Sequence, residues 1–194
     1  MIIGYHGCDK KVCDSVIAGN AFKKSDNPYD WLGNGIYFWE NDEKRAMEWA
    51  REQKRRGKIK NPSVIGAVLD LGNCLNLLER ESIEMLRAGY ELLKFKSEMN
   101  GTILPENRDI GNNHDLLIRE RDCAVIQQIH NLTQSNIPGL QPYDSVRGLF
   151  IEGTEVYPGS GFHTKTHIQI CVVNPNCIIG CFLPRKRNRN FPII

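Results

Sequence analysis

The chain has 194 residues, 41% of them hydrophobic and 25% charged, with a formal net charge of +2. This is the composition of an ordinary globular protein of one domain, 1–194, large enough to bury its own core. No apolar run approaches the roughly 20 residues of a membrane span, and Met1-Ile2-Ile3-Gly4-Tyr5-His6 lacks the basic region and apolar core of a signal peptide. A soluble cytoplasmic protein without a membrane partner is expected.

In chain order, Met1 to His6 reads as a short strand entering a Gly turn. Lys10 to Ala18 has helical spacing, with Val12, Val16 and Ile17 on one side, Asp9 as cap and Gly19-Asn20 as stop. Phe22 to Trp31 is turn-rich, since Ser25-Asp26-Asn27-Pro28 resists regular structure. Gly35 to Trp39 is an aromatic, β-branched strand. Asn41 or Asp42 then caps a helix to about Arg56, its apolar positions being Ala46, Trp49 and Ala50.

Val64 to Leu71 reads as a buried strand and Ser82 to Lys94 as a helix with Ile83, Leu86, Tyr90 and Leu93 inward. Asn100 to His114 is a long loop, and Asp115 to Asn131 another helix, with Leu116, Leu117, Cys123, Val125, Ile126 and Ile129 as core candidates. Three strands follow: Val146 to Glu152, Thr166 to Val173 and Ile178 to Leu183. An irregular loop, Tyr157 to His163, lies between the first two. Strands at both ends with helices between them predict an α+β fold that joins distant segments.

Seven scattered cysteines form no Cys-x-x-Cys pair and no zinc spacing, so reduced thiols and no bound metal are expected. Basic residues crowd two places. Arg51, Lys54, Arg55, Arg56, Lys58 and Lys60 form the first cluster, and Arg185, Lys186, Arg187 and Arg189 lie in a basic tail over 184–194. Such clusters can grip phosphates, although a solvated helix end looks the same and no aromatic residues interleave with them.

Three pieces carry possible chemistry. His6 is followed by Gly7, which lets a ligand approach the backbone closely. Gly33-Asn34-Gly35 turns into Ile36-Tyr37-Phe38-Trp39, where alternate aromatics share one strand face and can stack a planar heterocycle or simply pack the core. The C-terminal strand runs His167-Ile168-Gln169-Ile170-Cys171-Val172-Val173-Asn174-Pro175, with His167 and Gln169 on one face.

In their order and wide separation, these pieces resemble the three signature strands of the diphtheria-toxin-like, poly(ADP-ribose)-polymerase-type ADP-ribosyltransferases. The resemblance implies an ADP-ribosyltransferase-like fold, two small β-sheets forming an NAD cleft with flanking helices. It also implies NAD as co-substrate. His6 would bond a ribose hydroxyl, the Gly7 backbone would hold the nicotinamide carboxamide, and Tyr37 would stack on the nicotinamide ring. Trp49, or alternatively Trp39, would cover the other face of that ring. The loop from Tyr157 to Lys165, with Phe162, would present the acceptor, and His167 would help hold it.

The family's third catalytic residue is a glutamate, so this chain has His6, Tyr37 and Gln169 where the family has His, Tyr and Glu. A carboxylate about 4 Å from the charge developing at the anomeric carbon contributes roughly 4 kcal/mol at an effective dielectric near 20. Its loss costs on the order of a thousandfold in rate. Glu152 and Glu155 are the nearest candidate carboxylates in the same sheet to substitute for it. The resemblance thus implies mono-ADP-ribosyl transfer to a protein or nucleic acid. A non-catalytic NAD or ADP-ribose module and an NAD glycohydrolase are the alternatives. A toxin or defence role, with an inhibitory partner protein, fits the same reading.

Overall fold

The computed structural model describes residues 1–110, 115–135, 137–185 and 190. The first strand, β1 (Ile2–Asp9), runs directly into α1 (Lys10–Ile17). The Asp9 carboxylate makes that junction by accepting from Lys11 N, and also from Lys60 N and Asn61 N of the distant segment entering β3. Strand β2 (Ile36–Glu40) leads to α2 (Glu43–Arg55), capped by Asp42, whose carboxylate accepts from Arg45 N. Strand β3 (Pro62–Leu69) and short strand β4 (Cys74–Asn76) precede the long helix α3 (Arg80–Asn100), which ends at left-handed Gly101. Two-residue strands β5 (Asn107–Arg108) and β6 (Ile118–Arg119) pair with each other ahead of α4 (Glu120–Thr133). Strands β7 (Ser145–Phe150), β8 (His167–Val172) and β9 (Ile178–Phe182) finish the fold.

Seven strands form one mixed sheet in the order β4-β7-β8-β2-β1-β3-β9, beside the separate β5-β6 pair. The fold is therefore α+β as predicted, but with one large sheet and a two-stranded one where two small sheets were expected. The reason lies at the sheet centre. Strand β1 pairs with β3 along its whole length, from Ile2↔Leu69 to Asp9↔Pro62, yet meets β2 only at Gly4↔Glu40 and Tyr5↔Trp39. Beyond Tyr5 the two central strands part, and the single sheet is split along half its length.

Each face carries its own core. Tyr5, Trp39 and Val64 pack with Ala46 and Trp49 of α2, and Leu75, Val146, Phe150 and Cys171 pack with Val125, Ile126 and Ile129 of α4. On the opposite face Phe38, Ala67, Leu69, Ile170 and Val172 form a second cluster, adjoined by Cys8, Ile65 and the α1 residues Cys13 and Val16. Three core expectations are corrected. Ile17, Ile83 and Leu116 are 42%, 44% and 38% exposed. Leu116 lies ahead of α4 with φ of 46°, because the helix begins at Glu120 and not at Asp115. No described helix is long and apolar enough to cross a membrane.

Candidate functional site at the central split

The split begins where the β1–β2 ladder ends. Asn41 N donates to Ile3 O, so the odd-numbered residues of β1 turn their N–H and C=O toward β2. Gly7 is one of them, and its backbone groups face the split past the last ladder pair. The paired Tyr5 and Trp39 likewise fix Tyr37 with its backbone toward β1. His6 bridges the gap: its Nδ1 donates to the Tyr37 carbonyl at 2.7 Å. Ser25 closes the wide end by pairing with Gly35 through two backbone bonds.

The His6 ring lies edge-on to Phe22, with centroids 5.1 Å apart, and tilted against Phe38 at 5.8 Å. Burial among these rings lowers its pKa below the usual 6.5, against the raising effect of the Tyr37 bond. Gly7 turns its missing side chain the other way. A Cβ there would run into the Ala46 carbonyl and meet the Trp49 ring at 3.3 Å, so glycine is what allows α2 to lie on β1. Trp49 and Trp39 pack beside it with centroids 5.7 Å apart.

Tyr37 shares its sheet face with Gln169, because Trp39 pairs with Gln169 and Tyr37 with Cys171. Its side chain points away from His6, and only its backbone joins the His6 ring. The Tyr37 hydroxyl donates to Gly33 O at 2.6 Å and accepts from Leu32 N at 2.8 Å, tying the strand to the Gly-Asn-Gly turn. Burial raises the pKa of this phenol well above 10.

Around Gln169 stands a group of buried polar side chains that spacing alone does not reveal. Gln169 Nε2 lies 3.0 Å from His167 Nε2, and His167 Nδ1 lies 2.7 Å from Lys165 O. Glu152 Oε2 is 3.5 Å from the same Nδ1 and 3.0 Å from Arg45 Nη2 of α2. Arg45 and Glu152 are both more than nine-tenths buried. Arg45 Nε and Nη1 and Trp39 Nε1 have no hydrogen-bond partner among the described residues. Of the two candidate carboxylates, Glu152 therefore joins Gln169, while Glu155 is exposed and accepts from Gly159 N within the following loop.

Phe162 is 73% exposed on that loop, apart from the cluster. The loop is fastened at both ends, by Gly153 N donating to the Asp115 carboxylate and by Lys165 paired with Glu52 at 3.3 Å. Every basic residue of the Arg51 to Lys60 segment is exposed. In the tail, Lys186, Arg187 and Arg189 lie outside the described residues. A shallow cavity of 340 Å³ lies on the His6 side, lined by Val16, Phe22, Ile36, Pro175, Ile178 and Cys181 among others. It carries none of the Gln169 group, which stands on the opposite face.

Among known proteins, an uncharacterized protein of Methanocaldococcus jannaschii is 26% identical over 193 residues, covering 90% of this chain and 83% of that relative. No family model and no solved structure matches the chain.

Proposed function

We propose that the chain is an NAD-dependent mono-ADP-ribosyltransferase with an ADP-ribosyltransferase-like fold. The observation that carries this reading is the split between β1 and β2, with Gly7 N–H and C=O turned into it and His6 at its edge. A split bordered by the backbone donor and acceptor of one glycine suits the carboxamide of nicotinamide. Tyr37 and Gln169 lie on the adjoining strands, one face of the sheet further on.

In the reaction the bond between nicotinamide and the anomeric carbon breaks, and nicotinamide leaves with the electron pair. A nucleophile of the protein or nucleic-acid acceptor then bonds to that carbon and loses its proton. Gln169 orients the ribose 2′-hydroxyl through its amide oxygen, and His6 and Gly7 hold the cofactor. Tyr37 stacks on the departing ring, with Trp49 or Trp39 as the second wall. Phe162 and His167 belong to the acceptor side, and the exposed basic end of α2 favours a phosphate-rich acceptor.

A second reading, an NAD-binding module without catalysis, is favoured by the uncharged Gln169 and by the Arg45 pairing of Glu152. Incubation with labelled NAD and cell extract separates the two. Transfer of label to protein or nucleic acid with release of nicotinamide supports the transferase, and free ADP-ribose alone indicates a glycohydrolase. Binding with neither product leaves only the module. The variants His6→Ala and Tyr37→Ala are expected to lose NAD-dependent activity while circular dichroism shows the chain still folded.

A further inference from the structure

On the transferase reading, Gln169 must offer an acceptor oxygen, yet a glutamine amide can face a cleft either way round. The bonds around it decide the matter. His167 Nδ1 lies 2.7 Å from a carbonyl, so that nitrogen carries the proton and Nε2 is an acceptor. Only the amide NH2 of Gln169 satisfies Nε2, at 3.0 Å. The amide oxygen then takes no hydrogen bond from the described residues and is not among the enclosed unpartnered atoms.

We infer that Arg45, Glu152 and His167 are positioning residues, a chain that holds the Gln169 amide oxygen outward and lends it part of the Glu152 negative charge. The inference rests on the transferase reading of Gln169. Its physical basis is polarisation in a low-dielectric interior. Glu152 faces the Nδ1–H edge at 3.5 Å and draws positive charge there, which leaves Nε2 the richer acceptor. Nε2 in turn pulls on the amide N–H and makes the amide oxygen more negative. Arg45, 3.0 Å from the same carboxylate oxygen, holds Glu152 in place. A glutamine so backed regains part of what a glutamate would supply.

The chain is also sensitive to protons. Imidazolium donates at both nitrogens, so Nε2 would demand the amide oxygen and turn the NH2 outward, presenting the wrong end to a hydroxyl donor and a cationic carbon. The groups acting on His167 are Glu152 just beyond β7, Arg45 from α2, Asp42 at its cap, and the Lys165 carbonyl. The Trp39 and Phe150 rings pack at 6.4 and 5.8 Å. Burial dominates and keeps the ring neutral, with Arg45 acting the same way. The Lys165 carbonyl, Glu152 and Asp42 oppose it.

The test measures nicotinamide release and NAD affinity for the wild type, Glu152→Gln, and Arg45→Gln/Glu152→Gln, each alone and combined with Gln169→Glu. The double neutral variant leaves no unpaired buried charge and so remains informative if Glu152→Gln alone unfolds. Its release is expected to fall by about tenfold or more with NAD affinity little changed. Gln169→Glu should restore it, because a carboxylate offers oxygen in either orientation. Wild-type release should decline as pH falls below the ordinary imidazole value and His167 takes up a proton, a step that burial sets on the acid side, and Gln169→Glu should move that decline to lower pH. Unchanged release in the double variant, or a loss that Gln169→Glu does not relieve, overturns the inference and leaves the transferase standing. NAD binding without any release overturns the inference and the transferase together, and absence of NAD binding overturns the whole reading of the site.

Discussion

His6, His130 and His167 are each enclosed, and burial sets all three below the ordinary imidazole value of 6.5. His130 is the plainest instance, since neither ring nitrogen has a partner among the described residues. The unfolded chain takes up protons near pH 6.5 that the folded chain refuses, so stability must fall as pH drops through that value. The loss levels off only below the folded-state values. The urea midpoint is therefore expected to be lower at pH 5 than at pH 7.5. His130→Leu should raise the midpoint more at the acid pH, because it removes a group that burial holds neutral and unbonded. A midpoint independent of pH in both proteins would contradict this. At the same scale, Gly7 shows how a residue can be picked out for one reason and serve another as well. Its backbone faces the split, while its absent Cβ admits α2.

Among the elements, those with strong local signals were legible. Asp9 was readable as a cap and Asp42 as one of two candidates beside Asn41, and both aspartates accept from backbone N–H groups two or three residues on. Removing the α2 cap by Asp42→Ala should cost about 1 kcal/mol, measured by denaturant unfolding, whereas the exposed Asp26→Ala should stay within about 0.5 kcal/mol. A loss no greater for Asp42 than for Asp26 would show that the cap is not stabilising α2. Other elements had no local signature. Strands β4, β5 and β6 are two or three residues long, too short for an alternating pattern to appear. Apolar spacing assigned Ile17, Ile83 and Leu116 to the core, but periodicity does not say where a helix face stops being covered. The Arg45–Glu152 pair was out of reach because its partners are 107 residues apart and each alone resembles surface charge.

At the scale of the molecule, the three motif strands do meet at the centre of one sheet, in the neighbouring positions β1, β2 and β8. Their nearness was legible from the motifs, but the split was not, because it depends on how far two strands 31 residues apart stay paired. Nor could the sequence say that His6 and Tyr37 turn their side chains to opposite faces, since that follows from register. The central claim is that this split receives NAD. Calorimetric titration of NAD into the wild-type chain and into His6→Ala tests it most directly. Saturable binding to the wild type, lost or greatly weakened in a folded His6→Ala, is the predicted result. No binding to the wild type, or equal binding to both, would contradict the claim.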